Sequence, residues 1–499
     1  MIVSSFTLTH ISTAVLVGLF FYWLHKQLLK KCAIKSSSDA KLRSIPLIDN
    51  VKLVFANNDE TFKNMNDLTE KYGHYLKFWF GLDLNICIKN PTDIRFLLTS
   101  NKINEKGPFY RYIATYVGEG ILSGGPLWRA HRKIVTPAYN KKSVQTYSFV
   151  FNKEGEELAN SLLQKDPNVT FDVFSDVVIA TTQSVCQTLM GLPKEDSLNL
   201  KYLTEIMTET ERLYHQTCRQ ITEWWLQIPF CYWIFGKKVE KNYLNMVRVM
   251  ILDVLERKKR LKSESTENEI MNAVDKWLTI REMDDNLILE TFSIFTTSQE
   301  ASAKITSTVL LALAHLPEWQ EKVVNEIYDV LESNDQVITE EQIKKLHFLD
   351  MVFKEAVRYL PIAPVIQRRV SEEVTIDDGK ITLPVGTSVV IPIHSIHRDP
   401  EFWEEPNKFD PGRFMPENIS KRNPEAYLPF SLGPMDCLGR IYATALVKTL
   451  VVKVLLKVKL EADGRLEDLK LRYAISVHFE DGYRLRVCPR QNEFIRNII

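Results

Sequence analysis

The sequence predicts an α+β architecture, mainly helical, with smaller β-sheets. The longest helical tract runs from about Asp285 to Leu316 without one glycine or proline and stops at Pro317, which predicts one central helix about 45 Å long, enough to cross a whole domain. Lys71 to Pro91 reads as two β-segments around Gly81, and Val374 to Ile393 as a hairpin through Asp378 and Gly379 followed by a further strand.

In chain order, the first 24 residues contain no Lys, Arg, Asp or Glu, and Ile11 to Leu24 forms an apolar stretch approaching the roughly 20 residues that span a bilayer. His25, Lys26, Lys30 and Lys31 follow it. A cleaved leader carries its basic residues in front and a small-residue cleavage site behind. Here the charges come after, so residues 1–32 are expected to form an uncleaved membrane anchor, with 33–499 as a single catalytic domain on the cytosolic face. A second aromatic stretch, Thr222 to Lys238, is too short and too polar at its ends to span. It is either core or a monotopic membrane contact through Trp224, Trp225 and Trp233.

Composition narrows the function. Lys plus Arg number 63 and Asp plus Glu 63, a balance that argues against a general nucleic-acid role. The seven cysteines are an odd number and form no C-x-x-C pair, so structural zinc, a disulfide framework and C-x-x-C-H haem attachment all lose support. A reducing compartment fits best.

Four separated motifs remain. KEAVR puts Glu355 and Arg358 on one helix face, and FDPGRF brings Arg413 in a Pro-rich loop where a guanidinium can join that carboxylate. LWRAHRK sets Trp128 and Arg132 four residues apart, and QRRV adds Arg368 and Arg369. Cations converging from several elements suit a buried dianion, such as the paired carboxylates of a cofactor. In PFSLGPMDCLGR, Gly433 and Gly439 flank Cys437, and a helix begins just after it. Close backbone approach and a helix N-terminus both favour a thiolate.

Together these residues resemble a microsomal cytochrome P450, a haem-thiolate monooxygenase. FSLGPMDCLG is similar to that family's F-x-x-G-x-R-x-C-x-G loop, KEAVR to its E-x-x-R pair, FDPGRF to its meander arginine motif and LWRAHRK to its W-x-x-x-R helix. HLPEWQEKVVNEI and IHRDPEFWEEPNKFDPGRFMPEN look most like the insect family-4 branch, whose members commonly act on fatty acids or other long apolar chains. The likeness covers essentially the whole chain.

The resemblance implies a cytochrome P450 fold around haem b. Cys437 would be the axial ligand, Phe430 would pack by the sulfur, and Trp128, Arg132 and Arg369 would lie near the propionates, with Glu355, Arg358 and Arg413 structural. It implies electrons from NADPH through NADPH-cytochrome P450 reductase, with cytochrome b5 as a candidate second donor. The substrate would be lipophilic: a fatty acid, a hormone-like lipid or a xenobiotic. The location would be the endoplasmic-reticulum membrane. Arg129, His131, Lys133, Lys141 and Lys142 form either a basic docking face for an acidic reductase or a solvated charged helix.

Two departures stand out. Met435 occupies the place of the loop's basic residue, and a thioether cannot neutralise a propionate, so one charge-assisted hydrogen bond of about 1.5–3 kcal/mol is missing. In the central helix, Thr297 to Ser302 fill the place of the family's glycine, acid and threonine: Ser298 falls at the glycine, Glu300 at the acid and Ala301 at the threonine. Family chemistry relays protons through an acid and an alcohol by way of water, which leaves Glu300 and Ser302 as the candidate catalytic pair. Ser302 sits about 100° around the helix from Ala301. Thr297 stands where the branch often carries a glutamate that esterifies haem, so that link is not expected. Besides monooxygenation, two other readings are open: an isomerase or dehydratase of oxygenated lipids, and a haem- or ligand-binding member without turnover.

Overall fold

The computed structural model describes residues 34–44, 67–80, 83–194, 200–264, 272–278, 284–333, 336–473 and 475–490, with positions 18 and 64 besides. The expected anchor, 1–32, falls outside the described residues apart from Gly18. Among the described residues no helix is long and apolar enough to cross a membrane.

Helices dominate. Those that build the site are α1 (Trp128–Tyr139), α2 (Lys141–Leu163), α3 (Leu200–Thr222), α4 (Pro229–Phe235), α5 (Ala273–Leu278), α6 (Asp285–His315), α7 (His347–Tyr359) and α8 (Arg440–Lys457). The predicted central helix is α6. Asp284 caps it by accepting from Leu287 N at 2.8 Å, and Pro317 opens the next helix as soon as it ends. Its length is buried nearly throughout, because it packs on α7 and α8 within the main hydrophobic core. An interior helix must be apolar on every side, which explains why the sequence shows a long unbroken tract there rather than one apolar stripe.

The strand predictions are also met. β1 (Leu42–Ser44), β2 (Tyr75–Phe80), β3 (Asp83–Ile88), β4 (Glu105–Lys106), β5 (Ile366–Arg369) and β8 (Ser388–Ile391) form a six-stranded sheet in the order β1-β2-β3-β8-β5-β4. Between β5 and β8 lies the expected hairpin, β6 (Val374–Ile376) and β7 (Ile381–Leu383). The sheet places β4 and β5 side by side, Lys106 opposite Arg368 and Glu105 opposite Arg369.

The aromatic stretch divides: Leu226 is buried, whereas the α4 part is open. Phe230, Trp233 and Phe235 of α4 are 68%, 67% and 57% exposed, so of the two readings open for this segment only a surface role is left for these three.

Candidate active site

The scaffold comes first. Arg358 grips Glu355 with Nε and Nη2 at 2.6 and 2.8 Å, and it donates further to the carbonyls of His397, Pro406 and Lys408. Glu355 also accepts from Asp410 N at 2.8 Å and lies 3.5 Å from Arg413 Nε. Both members of the i, i+3 pair are fully buried. This is therefore a tie between α7 and the loop that leads towards Cys437, unlike the exposed pair such spacing usually gives.

Within the Cys437 loop, Gly433 has a φ of +77°, and a Cβ there would meet the Leu98 carbonyl oxygen at 1.9 Å, so no other residue fits. Cys437 N donates to the Phe430 carbonyl at 2.9 Å, while the half-buried Phe430 ring packs on the main core. Gly439 is the N-cap of α8. Enclosure by protein pushes the Cys437 thiol up and the neighbouring Asp436 adds to that, whereas the Gly439 N–H, Arg132 and Arg440 pull it down. Cys437 nonetheless keeps an exposed face.

Arg132 reaches across from α1 and donates to the Asp436 carbonyl and carboxylate, both at 2.7 Å, and Arg440 takes the other Asp436 oxygen. Trp128 starts the same helix and is half-buried. On β5 the strand alternation decides between the two arginines: Arg369 is exposed, and Arg368 is the one turned inward, donating to the Gln367 and Met435 carbonyls. Its cross-strand partner Lys106 donates to the Leu122 carbonyl, with its ammonium 4.5 Å from the centre of the Tyr110 ring. Burial, then Arg368 and Arg132, lower the Lys106 amine to about 7.

The pairing is informative because residues opposite one another on neighbouring strands share a face. On one face Glu105 opposes Arg369, a complementary pair. On the other, two cations oppose each other, which is destabilising by itself. Lys106, Arg132 and Arg368 thus concentrate positive charge beside a thiol with an open face, with Asp436 the acid bonded among them. That donor set fits haem, a dianion at its carboxylate edge and an iron to be held by sulfur.

The central helix arranges its polar residues differently from the expectation. Thr297, Ser298 and Ala301 share a half-open face, whereas Ser302 is fully buried and its hydroxyl has no hydrogen-bond partner. Ser302 therefore does not line that face, and the expected acid–alcohol pair is not assembled. Glu300 accepts from Lys304 Nζ and Ser476 Oγ, both at 2.7 Å, and lines a cavity of about 1050 Å³ beneath α3. Burial alone would raise its carboxyl, but the Lys304 charge and the bonds from Lys304 and Ser476 outweigh it, and the pKa falls. Ser298 Oγ is 3.1 Å from the hydroxyl of Tyr139, which is buried at the end of α1.

His131 is buried and turned away from the proposed docking face. Arg129, Lys133, Lys141 and Lys142 are exposed as expected. Lys106 and Tyr139 carried no motif and were missed. The pair in QRRV was noticed, but the sequence alone does not say which of two adjacent arginines faces inward.

A helix-rich fold, an internal glycine-bound cysteine and a cationic pocket beside it define a haem-thiolate protein. The family model for Cytochrome P450 matches residues 41–477, and the chain belongs to that family. It is 28% identical to "Cytochrome P450 4c3" of Drosophila melanogaster over 96% of this chain and 93% of that protein. It is 27% identical to "Cytochrome P450 4V2" of Homo sapiens, over 90% and 89%. With "Cytochrome P450 4c21" of Blattella germanica it shares 26%, over 86% and 89%. These relatives, insect proteins among them, are family-4 members, the branch this chain most resembles. The chain is a cytochrome P450 monooxygenase, an oxidoreductase of a family that uses haem with an axial cysteine thiolate and NADPH-derived electrons delivered by a reductase.

Proposed function

We propose that Cys437 is the axial ligand, that Lys106, Arg132 and Arg368 receive the two haem propionates with Trp128 alongside, and that the enzyme inserts one oxygen atom from O2 into a fatty acid or another long apolar lipid. The observation that carries this reading is the like-charged Lys106–Arg368 pair beside an open-faced thiol. Bound there, haem supplies the oxygen chemistry, and the thiolate's electron donation favours O–O cleavage. The chain's part is to hold it: Gly433 shapes the loop, and the Gly439 N–H and the start of α8 steady the sulfur's charge.

Lys106 and Arg368 offset Met435 in this arrangement. The test is a haem-transfer assay on the holoprotein: Lys106→Met should release haem at least about tenfold faster, the worth of one charge-assisted bond. The sign with pH follows. The amine has a pKa of about 7 in this setting, and a neighbouring dianion raises it. Haem capture should therefore take up a proton above pH about 7, and apparent affinity should fall as pH rises, by up to about tenfold per unit. Titration of haem affinity against pH checks this, and Lys106→Met should flatten the profile.

Glu300, held ionised by Lys304 beside the cavity, would pass protons inward from water, but Ala301 supplies no hydroxyl to continue the relay. Ala301→Thr should raise product formed per NADPH consumed several-fold. An unchanged ratio would mean that protons reach the substrate side by another route. The same feature favours a second reading, rearrangement or dehydration of an already oxygenated lipid, which needs neither dioxygen nor reductase.

For location and partners, we take the exposed Phe230, Trp233 and Phe235, with Lys237 and Lys238 beside them, as a contact with the endoplasmic-reticulum membrane that complements an anchor at 1–32. Arg129, Lys133, Lys141 and Lys142 suit an acidic NADPH-cytochrome P450 reductase, and cytochrome b5 would use the same charge complementarity.

A further inference from the structure

We propose that Glu290 and His131 form a buried clasp that positions Lys106 and Arg132 for the cofactor's carboxylates. They are positioning residues, since neither belongs to the cationic pocket itself. The inference rests on the reading of Lys106, Arg132 and Arg368 as that carboxylate pocket.

Glu290 lies on α6 and is 1% exposed. Its Oε1 is 2.7 Å from His131 Nδ1 and accepts from Asn286 Nδ2 at 2.9 Å. The loop before α1 wraps this one carboxylate. Cβ atoms at Gly118 and Gly120 would fall 2.6 Å from its Cγ and 2.3 Å from Oε1. Asn286 fastens the same loop by accepting from Glu119 N at 2.7 Å. Two residues beyond Gly120, the Leu122 carbonyl takes the Lys106 ammonium. One carboxylate on the central helix therefore fixes the loop that fixes Lys106.

The clasp's other side fixes Arg132. Successive helical residues diverge by about 100°, so the rotation that seats His131 on Glu290 is the one that aims Arg132 at Asp436. The His131 ring is further held edge-on by Trp277 of α5, with centroids 5.0 Å apart. Packing alone does not explain an acid here. The second oxygen, Oε2, is buried without a hydrogen-bond partner, a cost that an apolar residue would avoid.

The test is a double-mutant cycle on the full-length holoprotein, reading the rate of haem transfer to excess apomyoglobin and the resonance Raman bands of the propionates. Glu290→Gln keeps the shape and removes the charge. It should speed haem loss several-fold and shift the propionate bands in the same direction as Lys106→Met. The two substitutions together should accelerate loss by less than the product of their separate effects, because both act through one ammonium. Fully multiplicative effects, or a Glu290→Gln protein with unchanged haem loss and Raman bands, would overturn the clasp. Should Glu290→Gln fail to fold, His131→Asn poses the same question from the other side. A Lys106→Met protein that retains haem normally would instead overturn the carboxylate-pocket reading.

Discussion

Cys437→Ser should abolish the thiolate-type spectrum of the reduced carbon monoxide complex and bring reductase-supported turnover to background, while the polypeptide still folds. The substitution is nearly isosteric, and the loop's geometry rests on groups it leaves alone: the bond from the residue-437 amide to the Phe430 carbonyl, the left-handed Gly433, and the Arg132–Asp436–Arg440 pairing. What changes is the donor atom. A hydroxyl has far less tendency than a thiol to ionise, and at residue 437 burial and Asp436 already oppose ionisation against the pull of the Gly439 N–H, Arg132 and Arg440. Circular dichroism with the carbon monoxide difference spectrum checks both halves. A thiolate-type band surviving in the serine variant would remove Cys437 from the ligand role.

Arg358→Ala should leave little folded holoprotein. The guanidinium makes two bonds to Glu355, both side chains fully buried, and three to the carbonyls of His397, Pro406 and Lys408. Its removal strands a buried carboxylate, a cost of about 3–5 kcal/mol, against total stabilities of only about 5–15 kcal/mol for a typical domain. Arg413 lies 3.5 Å from that carboxylate and is not aligned to replace a bidentate partner. Arg358→Lys should fail for the same reason, since an ammonium cannot reach three carbonyls and two carboxylate oxygens from one plane. Haem content per polypeptide and the thermal unfolding midpoint report the effect. A variant that melts with the parent would show that the tie is dispensable.

Most of the fold was legible because its signals are local. The central helix announced itself by a tract free of breakers, the hairpin by Asp378-Gly379, and the scaffold tie by Glu355 and Arg358 three apart. The cysteine's surroundings were legible for the same reason: its glycines and the following helix are neighbours in sequence. What could not be read depends on residues far apart in the chain. Lys106 gains its meaning from Arg368 across a sheet, Arg132 from Asp436, and His131 from Glu290. Strand parity, which sends Arg368 inward and Arg369 outward, is set by the pairing of β5 with β8 and β4, and a one-residue slip would reverse it. Ser302 was misplaced for a related reason. Its angle on the helix was known, but not which side α6 turns towards the core.

Turnover under isotopically heavy dioxygen tests most directly the proposal that this haem-thiolate monooxygenase acts on long apolar lipids. Holoprotein is supplied with NADPH, the reductase and a panel of fatty acids, and products are read by mass spectrometry. The expected result is a hydroxylated product that carries one heavy oxygen atom and forms only when NADPH is consumed. Products that form from lipid peroxides without NADPH, and carry no heavy oxygen, would contradict it.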